Sequence, residues 1–143
     1  MQYDLNELRA YFGRDHYAEL TGIEIDSAAD DAVVCSMKIV PERHHNGANN
    51  VQGGALFTLC DLTFAVHSNL AIARGDDVGV TVAQSVSISY LKASRGSVLY
   101  AKSEQMHRGR NVSVFRVTIT DDLGVTIATA LCNGAQTSVK PPR

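Results

Sequence analysis

An apolar run from Gln52 to Ala73 contains a single formally charged residue, Asp61. Its length predicts a helix of about six turns that begins at the glycine pair Gly53 and Gly54. Positions three or four residues away from Asp61 share one face of this helix and are all small or polar: Gly54, Thr58, Ala65 and Ser68. Because the remaining circumference is mostly apolar, we expect the helix to be enclosed and the small-residue face to border a narrow cleft.

Asp61 is unusual because an ionised carboxylate in an apolar surround costs several kcal/mol unless it is paired or hydrogen-bonded. Two interpretations follow from the pattern. Asp61 is either the acid of an active site or a structural acid that caps nearby backbone or pairs with a basic residue such as Arg74. The spacing favours neither of them.

Alternating β-branched and polar positions predict five strands, at residues 32–40, 78–91, 97–107, 111–121 and 124–138. The last strands are joined by hairpin-sized loops, so we expect antiparallel neighbours. Helical patterns at 4–12 and 16–20 precede them, a loop at 41–50 leads into Gly53, and the tail at 139–143 is expected to be frayed. These elements predict an α+β fold in which a curved antiparallel sheet lies against one long helix.

Length and composition narrow the function classes. A chain of 143 residues, 45% hydrophobic and 20% charged, predicts one globular domain over residues 1–143 that is short for a cleft of its own. The net charge of −2 gives no field that would attract nucleic acid. The first residues lack the pattern of a secretory signal, and Asp61, His67 and Asn69 interrupt the long helix, so no membrane span is expected.

The cysteines favour a reducing compartment. Cys35, Cys60 and Cys132 are an odd, scattered set without CxxC spacing, which is typical of a cytoplasmic protein and not of a disulfide framework. Cys60 adjoins Asp61 in sequence but points about 100° away from it on a helix. We therefore interpret Cys60 as a core residue.

The glycine pair adds a second chemical feature. The first backbone N–H groups of a helix have no intrahelical partner, and Gly53 and Gly54 allow a carbonyl oxygen to approach them. Gly53 and Asp61 are eight residues apart, which on a helix is about 12 Å of rise, whereas one reacting carbonyl needs both groups within about 3 Å. If both act on one carbonyl, Gly53 of one subunit must face Asp61 of another across a two-fold axis, which predicts a dimer with two sites.

The residues that carry this pattern resemble a known family. The stretch "HHNGANNVQGGALFTLCDLTFAVHSN", followed by "SVSISYLKAS" and "HRGRNVSVFRVTITDD", is similar to the hotdog-fold acyl-CoA thioesterases of the phenylacetate-degradation type. Those proteins have an Asn, a His-Gly-Gly, and an Asp eight residues after the first of the two glycines. The resemblance covers about residues 20–137. It implies the hotdog fold and hydrolysis of an acyl-CoA to a carboxylic acid and free coenzyme A.

The resemblance also implies site residues. Asp61 matches the catalytic carboxylate, as nucleophile or as general base, and Gly53 matches the donor of the N–H that polarises the thioester carbonyl. Asn46 matches an Asn that holds the acyl group or the attacking water, while Gly54 and Thr58 lie on the face toward the substrate. No cofactor is implied, since coenzyme A is part of the substrate, and the implied assembly is a homodimer, paired into a dimer of dimers.

Gln52 departs from the family pattern, which usually has His at this position. An amide can donate and accept hydrogen bonds but never carries charge, so Gln52 can orient a ligand without acting as acid or base. This change supports an alternative function, a hotdog module that binds an acyl-CoA or another apolar acid without hydrolysing it.

Further polar residues have two interpretations each. Arg108 and Arg110, with the weaker candidates Lys92 and Arg95, either bind the phosphates of coenzyme A or belong to ordinary solvated loops. His44 and His45 lack a third ligand at metal spacing, so we expect no metal site and predict that they close the loop over the acyl pocket. His67 is expected at a dimer or sheet contact. Thr81, near the position where some hotdog thioesterases have a hydroxyl, is given no role.

Overall fold

The computed structural model describes residues 1–142. Its helices are α1 (Leu5–Phe12), α2 (His16–Thr21), α3 (Pro41–His44), α4 (Gly53–Ser68) and α5 (Leu70–Ala73). Its strands are β1 (Ile23–Ala28), β2 (Ala32–Lys38), β3 (Thr81–Tyr90), β4 (Val98–Arg108), β5 (Val112–Asp121) and β6 (Thr126–Gln136).

The strands form one antiparallel sheet that wraps the long helix. Their spatial order is β1-β2-β4-β5-β6-β3, and α4 contacts all of them. The core lies between helix and sheet, where the rings of Phe64 on α4 and Phe115 on β5 meet edge to face with centroids 5.5 Å apart. Burial of such aromatic and aliphatic side chains is the main stabilising term for a layered fold of this kind. The predicted α+β hotdog architecture is confirmed.

The sheet has one strand more than the five predicted. Strand β1 was missed because its alternation is short and breaks at a bulge between Ile25 and Ser27, where Asp26 stands without a partner across the ladder. Its apolar residues Ile23, Ile25 and Ala28 are buried nevertheless. The bulge shifts the side-chain alternation by one position, and a strict period-2 pattern does not describe such a strand.

The long helix is also shorter than predicted. The predicted helix over 52–73 divides into α4 and α5 at Asn69, whose backbone leaves the helical region at φ −123° and ψ 23°. The Asn69 side chain donates to the carbonyl oxygens of Ala65 and Thr81, both at 3.0 Å, and accepts from the Thr81 N–H at 2.8 Å. These bonds compete with the helical pattern and tie the end of α4 to the start of β3.

The two N-terminal helices agree with the sequence pattern. Asp4 caps α1 by accepting from the N–H groups of Asn6 and Glu7, and Asp15 caps α2 by accepting from Ala18 at 3.1 Å. The predicted loop at 41–50 contains the short helix α3, which begins at a proline in the first helical position. Proline is well suited to that position because the N–H it lacks has no helical acceptor there.

His44 lies inside the fold and not over a pocket, so the predicted loop-closing role is wrong for this residue. Its side chain is 2% exposed. The ring Nδ1 accepts from the Val40 N–H at 2.9 Å, and Nε2 donates to the Thr21 carbonyl oxygen at 2.7 Å. The neutral imidazole therefore joins α2 to the segment that leads into α4.

Replacing this imidazole is expected to destabilise the protein strongly. His44→Ala leaves the Val40 N–H and the Thr21 carbonyl without their buried partner and opens a cavity, at a cost of roughly 2–4 kcal/mol of unfolding free energy. Urea unfolding measures the change. His45→Ala is the matched control, since His45 is only half-buried and its side chain makes no hydrogen bond among the described residues. Equal losses for the two variants would contradict the assignment.

The C-terminal segment is held against the body, so the expectation of a frayed tail is wrong for residues 139–142. The Val139 carbonyl accepts from Val80 at 2.9 Å, and the Arg14 guanidinium donates to the Pro142 carbonyl at 3.0 Å. Lys140 forms an ion pair with Asp77 at 2.9 Å. Arg143 lies outside the described residues.

Two further findings concern the chain as a whole. Within residues 1–142, the helices fall short of the length and hydropathy that crossing a membrane requires. Cys35, Cys60 and Cys132 are free and buried, so the interpretation of Cys60 as a core residue is confirmed. The sulfurs of Cys60 and Cys132 lie 3.8 Å apart between α4 and β6.

Candidate active site

Asp61 is a half-buried carboxylate without a partner. No hydrogen bond or ion pair involves its side chain in the described part of the chain. Burial raises the pKa of the Asp61 carboxyl above its ordinary value, and the negative charge of Asp15 raises it further. A perturbed acid at a cavity is a common property of functional sites, although structural acids share it when they are paired.

The pairing and capping that the structural interpretation of Asp61 requires are not found within residues 1–142. Arg74, its predicted partner, instead forms an ion pair with Asp76, with Nε donating to the carboxylate at 3.2 Å. Asp61 caps no backbone group within residues 1–142. Asp61 is therefore partly desolvated without a hydrogen bond or ion pair among the described residues to compensate, a combination that is expected of a group with a chemical role.

Asp61 borders an open cavity of about 570 Å³ that residues from three parts of the fold line. The residues from α4 include the predicted Gly54, Thr58 and Asp61 on one face of the helix. The lining residues from all three elements are Asp15, Tyr17 and Ala18 of α2, Gly54, Phe57, Thr58, Asp61 and Leu62 of α4, and Tyr90 at the end of β3. Of the predicted small-residue face, Gly54 and Thr58 border this cavity, whereas Ala65 does not line it and Ser68 lines a separate one.

The start of α4 presents one free amide. Gln52 caps the helix, with its side-chain oxygen accepting from the Gly54 N–H at 2.6 Å. The Gly53 N–H has no acceptor among the described residues, while the Gly53 carbonyl accepts from the Tyr90 hydroxyl at 3.1 Å. Of the two amides that the glycine pair provides, only that of Gly53 is open to a ligand.

Both glycines have close side-chain neighbours. A Cβ at Gly54 would stand 2.5 Å from the capping oxygen of Gln52, and a Cβ at Gly53 would stand 3.1 Å from the Tyr90 ring. Side chains at these positions would push Gln52 and Tyr90 away from the helix start. The absence of side chains at Gly53 and Gly54 therefore leaves Gln52 and Tyr90 in place beside the Gly53 amide.

Gln52 and Asn46 are engaged within the chain. The Gln52 side-chain oxygen caps the helix at the Gly54 N–H, so this oxygen and this amide are bonded to each other. The Asn46 side-chain oxygen accepts from the N–H groups of Ala48 at 2.9 Å and Asn50 at 3.2 Å. Asn46 therefore shapes the loop before α4, and neither residue lines the cavity at Asp61.

The basic residues lie apart from Asp61. Arg108 lines a separate cavity together with Asp30 and His67, and Arg110 is exposed in the turn between β4 and β5. Lys92 and Arg95 are both exposed in the segment that follows β3. A single chain thus brings together Gly54, Thr58 and Asp61 but does not bring the arginines to them.

His67 makes the predicted sheet contact. It is buried, its Nδ1 lies 2.9 Å from the Ser103 hydroxyl of β4, and its Nε2 lies 3.0 Å from the Asp30 carbonyl oxygen. Burial lowers the pKa of this imidazole, so its neutral form is favoured. Thr81 is buried as well and donates to Gln136 at 2.9 Å, which is a structural role.

Sequence reasoning missed the four lining residues that lie outside α4: Asp15, Tyr17, Ala18 and Tyr90. The capping signal at Asp15 and the strand end at Tyr90 are visible in the sequence. Their approach to α4 is a tertiary contact, and no local pattern carries it. Within residues 1–142, no group of three His, Cys, Asp or Glu side chains is arranged to hold a metal ion.

Comparison with known proteins gives the family. The model of the thioesterase superfamily matches residues 48–128, which is more than half of the chain and includes Gly53 and Asp61. The acyl-coenzyme A thioesterase PaaI of Escherichia coli is 28% identical over 120 residues, with 83% of this chain and 81% of PaaI covered. A curated relative from Archaeoglobus fulgidus is 32% identical over 93 residues, which are 64% of this chain but only 56% of that protein's length.

Solved structures agree. The E. coli PaaI structure superposes with a TM-score of 0.82 at 23% identity, covering 95% of this chain and 97% of PaaI, which shows the shared fold. A hypothetical thioesterase of Streptococcus pneumoniae, solved with coenzyme A, is 30% identical with a TM-score of 0.75, covering 93% of this chain and 99% of that chain. The resemblance predicted from the sequence is confirmed, and this chain belongs to the thioesterase superfamily with the hotdog fold.

Proposed function

We propose that this protein hydrolyses an acyl-CoA thioester to a carboxylic acid and free coenzyme A. The observation that carries the proposal is Asp61, an unpaired, half-buried carboxylate at a cavity on the helix whose first amide is free. The family supports thioester chemistry. PaaI is an acyl-coenzyme A thioesterase, and the S. pneumoniae relative was solved with coenzyme A. Both similarities support an acyl-CoA substrate.

Asp61 supplies the reacting oxygen or activates it. In one route the carboxylate attacks the thioester carbon, the C–S bond breaks, and coenzyme A leaves as a thiolate that takes a proton from water; a second water then hydrolyses the resulting anhydride and regenerates the carboxylate. In the other, Asp61 takes a proton from a water that attacks the same carbon, the C–S bond breaks, and the proton is passed to the departing thiolate. The raised pKa makes Asp61 a stronger base than an ordinary aspartate, which favours proton abstraction. Neither route needs a cofactor.

The Gly53 N–H stabilises the oxyanion that forms on the thioester oxygen. A backbone donor at a helix start is fixed in place before the reaction and adds the favourable end of the helix dipole. Because Gly53 and Asp61 are about 12 Å apart along one helix, they serve the same carbonyl only when they belong to different subunits. Two antiparallel copies of α4 would then form two equivalent sites.

Strand β3 supports the dimer. It is an edge of the sheet, most of its residues are exposed, and its ten residues contain no charge, proline or glycine that would block pairing. Tyr90 at its end contacts Gly53, so pairing of two β3 edges would place the helix starts next to the interface. The exposed Tyr100, Met106 and Leu131 on the outer face of the sheet offer a surface for a dimer of dimers.

The remaining predicted residues have supporting roles in this proposal. Gln52 keeps the helix start ordered, and Thr58, whose hydroxyl donates to the Gly54 carbonyl at 2.8 Å, faces the substrate. Asn46 orients the loop through which the acyl group or water enters. Arg108 and Arg110 bind phosphate oxygens of coenzyme A, which lie far from the thioester and need no contact with Asp61. The free cysteines agree with the reducing cytoplasm as the site of action.

A second candidate function is binding without hydrolysis, and Gln52 in place of the family His favours it. A thiol reagent that detects released coenzyme A, used with a panel of about a dozen acyl-CoAs, separates the two. We expect saturable release above background for at least one acyl group. Saturable binding by calorimetry with no release across the whole panel would instead establish the binding module and refute the proposed hydrolysis.

A further inference from the structure

The cavity at Asp61 has an unusual charge inventory. Two of its lining residues, Asp15 and Asp61, are carboxylates, and none of the lining residues is basic. The rest of the wall is apolar or uncharged and includes Phe57, Leu62 and Ala18. In the proposed reaction the thioester carbon lies at Asp61, and the acyl group extends into this cavity while the charged part of coenzyme A stays outside.

Asp15 is held in position at the wall by its role as a helix cap. One carboxylate oxygen accepts from the Ala18 N–H at 3.1 Å, and Glu19 donates its N–H to the Asp15 carbonyl at 3.0 Å. The second carboxylate oxygen has no partner within residues 1–142. No cation of the described residues pairs with Asp15, so its negative charge is not compensated by a salt bridge.

We propose that Asp15 sets the charge specificity of the acyl pocket, admitting neutral acyl groups and rejecting those that end in a carboxylate. This inference rests on the proposed function and adds the substrate class to it. An anionic acyl end would meet two like charges, one of them on the exposed Asp15, without a basic partner among the lining residues. A neutral end meets no such repulsion and can pack against Phe57 and Leu62. Specificity of this kind depends on repulsion of the wrong substrate.

The test compares hexanoyl-CoA with adipyl-CoA, two six-carbon acyl groups that differ by a methyl or a carboxylate at the far end. For the unmodified protein we expect kcat/KM to favour hexanoyl-CoA by at least about tenfold. Asp15→Asn keeps an efficient N-cap and removes the charge, so α2 is retained. This variant is expected to reduce the preference by about tenfold, because removing a like charge favours the anionic acyl group. The change should come from a higher kcat/KM for adipyl-CoA, with that for hexanoyl-CoA nearly unchanged.

The matched control is Glu19→Gln on the same short helix. Glu19 lines a different cavity, beside Arg9. Glu19→Gln therefore removes one negative charge from the same helix without changing the cavity at Asp61. The ratio of the two substrates should stay unchanged in this variant. A general effect of charge on coenzyme A would alter both substrates together and cancel in the ratio.

A second readout separates an electrostatic role from a structural one. Asp15 is the charged neighbour that raises the pKa of Asp61, and the other titratable groups that line the cavity are Tyr17 and Tyr90. Removing the Asp15 charge therefore lowers the pKa of Asp61, and the acid limb of the kcat/KM profile moves to lower pH. Loss of the helix cap alone would leave this limb in place.

The outcomes are distinct. Hydrolysis of hexanoyl-CoA with an unchanged substrate ratio in Asp15→Asn would overturn the inference and leave the proposed function standing. If no acyl-CoA is hydrolysed, the proposed function fails. Calorimetry of both acyl-CoAs with Asp61→Asn, alone and combined with Asp15→Asn, then still decides the inference. Equal adipyl-CoA affinity with and without the Asp15 charge would overturn it.

Discussion

Asp61→Asn is expected to lower kcat for acyl-CoA hydrolysis by roughly 10²- to 10⁴-fold, the range that loss of a general base or nucleophile produces. The amide has nearly the same shape as the carboxylate but neither attacks the thioester carbon nor takes a proton from water. The measurement is thiol release under saturating substrate, with calorimetry to show that the variant still binds acyl-CoA. Hydrolysis at the unmodified rate would refute the assignment of Asp61.

The same variant should be more stable than the unmodified protein at neutral pH. The pKa of Asp61 is raised in the folded state, so ionisation of Asp61 above its unfolded pKa opposes folding, and the amide removes this penalty. Thermal unfolding should show a higher midpoint for Asp61→Asn at pH 7. The difference should vanish when the pH falls below the unfolded pKa, where both states carry a protonated Asp61. Lost activity with higher stability excludes misfolding as its cause.

Gly53→Pro is expected to lower kcat by roughly 10²- to 10³-fold, because proline has no N–H to offer the oxyanion. The fold should tolerate it. Gly53 is the first residue of α4, where no helical hydrogen bond is lost, and Gln52 before it has the extended backbone, at φ −65° and ψ 139°, that proline requires. Gly53→Ala is the control, since it brings a Cβ toward the Tyr90 ring but keeps the donor. Equal losses in both variants would assign the effect to Tyr90.

Mixing the two inactive chains tests whether each site draws on two subunits. In a mixed dimer of Asp61→Asn and Gly53→Pro chains, one site combines both defects and the other has neither. Random pairing makes about half of the dimers mixed, so about a quarter of the unmodified activity should return. Mixtures refolded together are compared with mixtures of separately refolded chains. Failure to recover activity, with mixed dimers shown by mass spectrometry, would place both groups in one subunit's site.

The features that the sequence could predict are those that depend on spacing within one element. The face of α4 that contains Gly54, Thr58 and Asp61 follows from helical periodicity, and the free amide of Gly53 follows from the absence of an acceptor at a helix start. Both depend only on neighbours along the chain. The acid, the glycine pair and the long helix are therefore predictable without knowledge of the tertiary structure.

The features that could not be predicted depend on contacts between distant segments. Nothing local shows that Asp15 lies near Asp61, or that Tyr90 reaches Gly53 from the end of β3. Asn69 has the side chain of a helix breaker, but the bonds that end α4 there require Thr81 twelve residues later. The Gln52 cap could have been predicted, since an amide two residues before a helical N–H is a local arrangement. The comparison with the family His at this position predicted ligand contacts instead.

The edge strand β3 has a cost during synthesis. A newly made chain that has folded but not yet met a second copy presents ten uncharged residues with free backbone donors and acceptors along one side. Such an edge accepts any extended segment, including one from an incompletely folded chain, so it promotes inclusion bodies when expression is fast. Slow production at low temperature would therefore reduce aggregation. A lysine placed on the exposed side of β3 would also reduce it, but it would weaken pairing of two β3 edges in the proposed dimer.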